Sequence, residues 1–117
     1  MFKTISLKKN EDFLRLYKKG SFYVGKYIIL YIKKNDLSTN RIGITVSKKV
    51  GKSVVRNRVR RLIRENYRFF ELFLLNSYDF VFVARKSLGI PNFSVIKKEM
   101  KYLVKKLNVL DKETKIV

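Results

Sequence analysis

The chain has 117 residues, 46% of them hydrophobic, which suits one domain with an ordinary core over residues 1–117. Its 28 Lys and Arg against 9 Asp and Glu give +19 at pH 7, a field that attracts polyanions in a salt-dependent way. Cysteine and histidine are both absent, which excludes disulfides, thiolate nucleophiles, imidazole bases and every His or Cys metal site.

The acidic residues are scattered and mostly lie beside lysines, so no pair of carboxylates is set up for acid/base or two-metal chemistry. No run approaches the roughly 18 apolar residues of a membrane span, and the opening MFKTISLKKN carries no apolar signal core. A cytoplasmic protein without membrane contact is expected.

Residues 1–9 read as an extended basic lead-in. Asn10 is placed to cap a helix that runs to Lys18 or Lys19 and stops at Gly20. Phe13, Leu16 and Tyr17 share one face of it; Leu16 reads as core, while the two rings suit either a core or the stacking of unpaired bases. From Phe22 to Lys34 the β-branched and aromatic run FYVGKYIILYIKK predicts a strand, with Gly25 as a bulge or bend. Alternation sets Tyr27, Ile29 and Tyr31 against Ile28, Leu30 and Ile32, so both faces are partly apolar, and one of them either is covered or lines a groove. NDLSTN (35–40) is a turn, and RIGITVS is expected to pair antiparallel with the strand before it, with Ile42, Ile44 and Val46 facing one way.

Ser47 to Phe70 holds six of the nine arginines, three lysines (Lys48, Lys49 and Lys52) and a single carboxylate, Glu65. On a helix from about Ser53 to Phe70, Val55, Val59, Leu62, Ile63, Asn66 and Phe70 fall on one side. Asn57, Arg60, Arg61, Arg64 and Arg68 fall on the other. A guanidinium stays charged and can grip a phosphate through two parallel hydrogen bonds, so such a row suits a polyanion. A merely solvated face would need carboxylates for intrahelical ion pairs, and Glu65 alone cannot serve six arginines. The Gly51-Lys52-Ser53 triplet after a strand imitates the end of a nucleotide-binding loop, but the first glycine of that motif would fall at Val46.

Asn76 to Asp79 is expected to turn the chain into the strand YDFVFVARK, with Phe80 and Phe82 on one face and Val81 and Val83 on the other. Pro91 and Asn92 introduce a last helix from Phe93 to about Asn108. Its core stripe is Phe93, Ile96, Met100, Leu103, Val104 and Leu107, opposite Lys97, Lys98, Lys101, Lys105 and Lys106. Residues 110–117 are expected to fray.

Three blocks, LKKNEDFLRLYKKG, RIGITVSKKVGKSVVRNRVRRLIRE and DFVFVARK, resemble the protein subunit of bacterial ribonuclease P, and the resemblance runs over nearly the whole chain. It implies an α/β fold, a two-layer α+β sandwich that is ribosomal protein S5 domain 2-like. Its small mixed sheet has about four strands and three helices in the order α-β-β-(β)-α-β-α, with a left-handed βαβ crossover, against the usual right-handed rule. It also implies two partners, the ribonuclease P RNA and precursor tRNA, and no protein partner is inferred. The holoenzyme is an endoribonuclease that removes the 5′ leader of precursor tRNA, with Mg²⁺ held mainly by the RNA subunit and the substrate. The chain itself would then carry neither a catalytic residue nor a metal site.

By the same resemblance the RNA contacts fall to Arg56, Asn57, Arg58, Arg60, Arg61, Arg64 and Arg68, with Lys48, Lys49 and Lys52 ahead of them. The leader cleft falls to Phe13, Tyr17 and Tyr31; Tyr17 stands where the family often has phenylalanine, which keeps a ring and adds a hydroxyl. Two other readings compete. A structural RNA-binding protein such as a ribosomal component would use the same charge, and a nucleotide hydrolase would rest on the Gly-Lys-Ser triplet alone.

Overall fold

The computed structural model describes residues 4–86 and 92–111. In chain order the elements are β1 (Ile5–Ser6), α1 (Asn10–Lys19), β2 (Ser21–Val24), β3 (Ile28–Lys34), β4 (Arg41–Val46), α2 (Ser53–Phe70), β5 (Tyr78–Ala84) and α3 (Phe93–Lys106). Single 3₁₀ turns, Lys48–Val50 and Glu71–Phe73, flank α2. The five strands form one mixed sheet in the order β1-β4-β5-β3-β2.

The sequence of β5 explains that order. With phenylalanines on one face and valines on the other, both faces need cover, and a strand near the middle of a covered sheet obtains it. β5 accordingly lies between β4, with which it is parallel, and β3, with which it is antiparallel. Phe80, Val81 and Phe82 are fully buried. Phe80 and Phe82 join Ile28, Leu30 and Ile32 of β3 under α2 and α3, which contribute Val59, Ile63, Tyr67, Phe70, Ile96, Met100, Leu103 and Val104. Each such side chain contributes about 1.5–3 kcal/mol when removed from water. The other face carries a smaller cluster of Leu7, Leu16 and Val81, covered by α1.

Several expectations are corrected. β4 does not pair with the strand before it: β5 sits between them, and a parallel β4–β5 pair is reached through α2. The run expected as one strand from Phe22 is a hairpin of β2 and β3. Its turn is closed from α3, where the Glu99 carboxylate accepts hydrogen bonds from the amides of Lys26, Tyr27 and Ile28 at 2.9, 2.7 and 2.6 Å. Of the two readings of Gly25, the bend holds and the bulge does not, and the residue also allows a close approach, since a Cβ on it would lie 2.8 Å from the Glu99 carboxyl carbon. The sheet has five strands, not about four, because the hairpin adds β2 and the lead-in adds β1, which runs parallel to β4. A two-residue strand leaves no periodicity to read.

Lys9, not Asn10, occupies the N-cap of α1, without a side-chain cap. The turn before β5 ends at Ser77, and Asp79 is already in the strand. The last helix stops at Lys106, since Leu107 caps it and Asn108 takes the left-handed conformation at φ 56°. Asn92 does cap α3, accepting from the Val95 amide at 3.0 Å. Phe93 leaves the expected core stripe and is exposed at the helix start. Pro91 and residues 112–117 of the expected frayed tail lie outside the described residues.

Buried charge ties the layers together. Asp79, 4% exposed, accepts from Arg41 Nε at 2.8 Å and Nη2 at 2.7 Å, and from Asn35 Nδ2 at 2.9 Å. Arg41 reaches on to Asp12 of α1 at 3.3 Å, and Asp12 also accepts from Arg15 at 3.1 Å. The hydrogen bonds to Asp79 hold the Arg41 guanidinium above its ordinary pKa. Removing one partner of such a pair strands the other charge. Asp79→Ala is therefore expected to lower stability by about 3 kcal/mol, read as a fall in the urea midpoint at unchanged slope.

Burial pushes the Tyr67 phenol up to about 12, only partly offset by its 2.9 Å hydrogen bond with Thr4. A raised pKa means that the folded state keeps its proton longer. The stabilisation is fully present below pH 10, the unfolded value, and is lost as pH rises towards 12. That interval corresponds to roughly 2–3 kcal/mol. Alkaline unfolding of the parent should steepen between these pH values, and Tyr67→Phe should remove that component.

Candidate nucleic-acid interface

The helix expected from Ser53 to Phe70 has those bounds, and its two sides separate as the spacing predicts. Val59, Ile63, Asn66 and Phe70 are buried, joined by Tyr67, which the sequence reading left off the stripe although it follows Ile63 by one turn. Val55 and Leu62 are half-buried. Asn66 is fully buried and donates to the Leu62 and Phe93 carbonyls at 3.0 and 3.4 Å, which ties α2 to the start of α3.

On the outer side Asn57, Arg58, Arg61, Arg64 and Arg68 are exposed, and Arg56 and Arg60 are half-buried. Among the described residues every ion pair involves Arg15 or Arg41, so none of the six α2 arginines has a carboxylate partner, Glu65 included. Their internal contacts are neutral. Arg60 donates to Asn57 Oδ1 at 3.1 Å, Arg56 donates to Ser53 Oγ at 3.3 Å, and Arg56 Nε is buried with no hydrogen-bond partner among the described residues. Lys48, Lys49 and Lys52 are exposed in the turn that enters the helix. Like charges held this close repel, and a polyanion relieves that repulsion.

A second surface lies on the opposite face of the sheet. Strand register sets out a row Gly43–Val81–Tyr31–Phe22 across β4, β5, β3 and β2, and next to it a row Thr45–Val83–Ile29–Val24. α1 crosses part of this face, seating Phe13 over Gly43 of β4 and bringing Tyr17 to Tyr31 of β3. Tyr17 and Tyr31 meet edge to face with centroids 4.9 Å apart, and the Tyr17 and Thr45 hydroxyls are 3.3 Å apart. Phe13, Tyr17 and Tyr31 thus come together on one shelf, half-buried to exposed, with polar edges reachable by solvent. The basic turn begins three residues after Thr45, at the same end of β4.

Two residues that shape this shelf were not singled out in the sequence. The Phe13 ring lies against Gly43, where a Cβ would stand 2.5 Å from its Cε1, so the missing side chain sets how deep the ring sits. Phe22 lies 5.4 Å from Tyr31, centroid to centroid, at an interplanar angle of 31°. With β2 and β3 read as one strand, Phe22 and Tyr31 were nine residues apart on the same line. Only the hairpin makes them neighbours.

Among the described residues no three carboxylates converge on a point that could hold a metal ion, and no helix is long and apolar enough to cross a membrane. These features define a small basic mixed α/β domain with an arginine-lined helix on one side of its sheet and an aromatic shelf on the other. The family model described as ribonuclease P matches residues 1–108. The ribonuclease P protein component of Clostridioides difficile is 46% identical over 108 residues, covering 92% of this chain and 95% of that protein. That of Alkaliphilus oremlandii is 44% identical over 105 residues, covering 90% and 92%. The Staphylococcus aureus RNase P protein structure superposes with a TM-score of 0.84 at 32% identity, over 93% of this chain and all of that one. The Thermotoga maritima RNase P protein gives 0.78 at 28% identity, over 86% and 96%. The chain belongs to the ribonuclease P protein family.

Gly43→Ala tests the seat of Phe13. The clash falls on a ring packed against Leu7, Leu16 and Val81, so stability should fall by about 1–3 kcal/mol as the ring is displaced. Ring proton shifts of Phe13 should change in the NMR spectrum and the thermal midpoint should drop; unchanged shifts would contradict the packing described.

Proposed function

We propose that this protein is the protein subunit of ribonuclease P, holding the ribonuclease P RNA with one surface and the 5′ leader of precursor tRNA with the other. The observation that carries the reading is the α2 face, whose arginines lack carboxylate partners among the described residues. Membership of the family supplies the identity of the RNA. Arg56, Asn57, Arg58, Arg60, Arg61, Arg64 and Arg68, with Lys48, Lys49 and Lys52, neutralise and position phosphates of the RNA subunit. Phe13, Tyr17 and Tyr31 stack on unpaired leader nucleotides.

Leader removal is then the work of the RNA subunit in the cytoplasm. Mg²⁺ is assigned to the RNA and the substrate in this reading. Among the described residues no three acidic side chains gather, and Asp12 and Asp79 are both taken up by arginines. The protein's contribution is charge, position and leader affinity. It lowers the Mg²⁺ needed, since protein cations do part of the neutralisation that free cations would otherwise do.

Two kinds of variant should separate the two surfaces. If about six phosphates are neutralised, log affinity for the RNA should fall with log salt at a slope of roughly −4 to −5, and Arg61→Ala or Arg64→Ala should each flatten it by nearly one. Tyr31→Ala should instead weaken holoenzyme binding of leader-bearing precursor tRNA by about 1–3 kcal/mol with the salt slope kept. A Tyr31→Ala effect equal on mature and precursor tRNA would remove the leader from this account.

A further inference from the structure

The aromatic shelf does not end at Tyr31. On the outer side of β3 the hairpin sets β2, an edge strand with no further partner among the described residues, and its sequence Ser-Phe-Tyr-Val carries no charge. Edge strands are ordinarily guarded by lysine, proline or a bulge. Here Phe22 is 55% and Val24 47% exposed, and both point to the α1 side, being directly opposite Tyr31 and Ile29. α1 covers the shelf from the Phe13 side, and no described element covers Phe22.

We propose that Phe22, backed by Val24, extends the leader groove onto β2 and takes one further unpaired RNA nucleotide by stacking. The inference rests on the leader reading of Phe13, Tyr17 and Tyr31 given above. Three observations favour this occupant. The Phe22 and Tyr31 rings lie 5.4 Å apart at only 31°, partly face to face, whereas Tyr17 meets Tyr31 edge-on at 70°, so Phe22 continues the run of ring contacts outward from Tyr31. The surface is continuous with the shelf through direct strand register. The charge around it is also complementary to phosphate: Lys33 follows Tyr31 on the same face, and Lys18 and Lys19 close α1 beside it. A ring that accepts any base face, with cations near enough for the backbone, is the make-up of a sequence-tolerant single-strand site. A second copy of this chain is disfavoured as the occupant, because each copy brings +19.

The test is the affinity of the assembled holoenzyme for precursor tRNAs whose leader is shortened one nucleotide at a time, with parent, Phe22→Ala, Phe22→Trp and Tyr31→Ala proteins. Phe22 is exposed, so neither of its variants threatens folding. Phe22→Ala should weaken binding of long-leader substrate by about fivefold or more, with the deficit disappearing at a leader length at least one nucleotide greater than for Tyr31→Ala. Phe22→Trp should restore the affinity. If Tyr31→Ala discriminates leader length and Phe22→Ala does not, the extension is wrong and the leader reading stands. If neither discriminates, both are wrong. Loss of a sedimenting dimer in Phe22→Ala, without a leader-dependent deficit, would reassign the ring to self-association.

Discussion

The placement of β5 between β4 and β3 is the constraint from which the rest follows. Its alternating phenylalanines and valines require cover on two faces, and a position inside the sheet with helices on both sides supplies it. Because β4 pairs with β5 in parallel, the chain must travel back along the sheet between them, and α2 is that return path. A helix laid on the sheet must bury one stripe, and Val59, Ile63, Asn66, Tyr67 and Phe70 provide it. The opposite side is left to solvent with its arginines. The same strand therefore anchors the core and fixes the orientation of the basic face.

The valine side of β5 has the complementary consequence. α1 covers only part of this face: Leu16 packs with Val81, while Tyr31 is half-buried and Phe22 and Val24 beyond it are exposed. What covers the rest is aromatic. Buried charge keeps this arrangement in register, for Arg41 on β4 bonds both Asp79 on the neighbouring strand and Asp12 on the helix above. The ion network and the shelf share strands, and Arg41's bond to Asp12 is a polar tie between β4 and the helix that carries Phe13 and Tyr17.

Much of this was legible in the sequence, for physical reasons that can be named. α2 was readable because eighteen residues at a steady spacing leave a strong periodic signal, and because one carboxylate against six arginines is a charge count that needs no structure. The faces of β4 and β5 followed from alternation alone. Strand order was not readable, since a short turn after β3 favours an antiparallel neighbour and nothing local announces that β5 will displace it. The hairpin at Gly25 was missed because its turn is held by Glu99, more than seventy residues away. Phe22 and Gly43 were missed for a related reason: each matters through a neighbour distant in sequence, Tyr31 across the hairpin or Phe13 on the helix above, and such neighbours appear only in the folded chain.

The two surfaces differ in chemistry as well as position. Phosphate contacts through arginine are long-ranged, additive in the salt slope and indifferent to which bases are present. Ring stacking is short-ranged and needs unpaired bases. A protein combining them can hold a large folded RNA and a flexible strand at once. The central claim is that this protein promotes leader removal by an RNA catalyst. Its most direct test is cleavage of precursor tRNA by the cognate ribonuclease P RNA, with and without the protein, at low Mg²⁺ and moderate salt. The account predicts strong stimulation that weakens as the leader is shortened. Tight binding of the RNA with no stimulation at any leader length would contradict it.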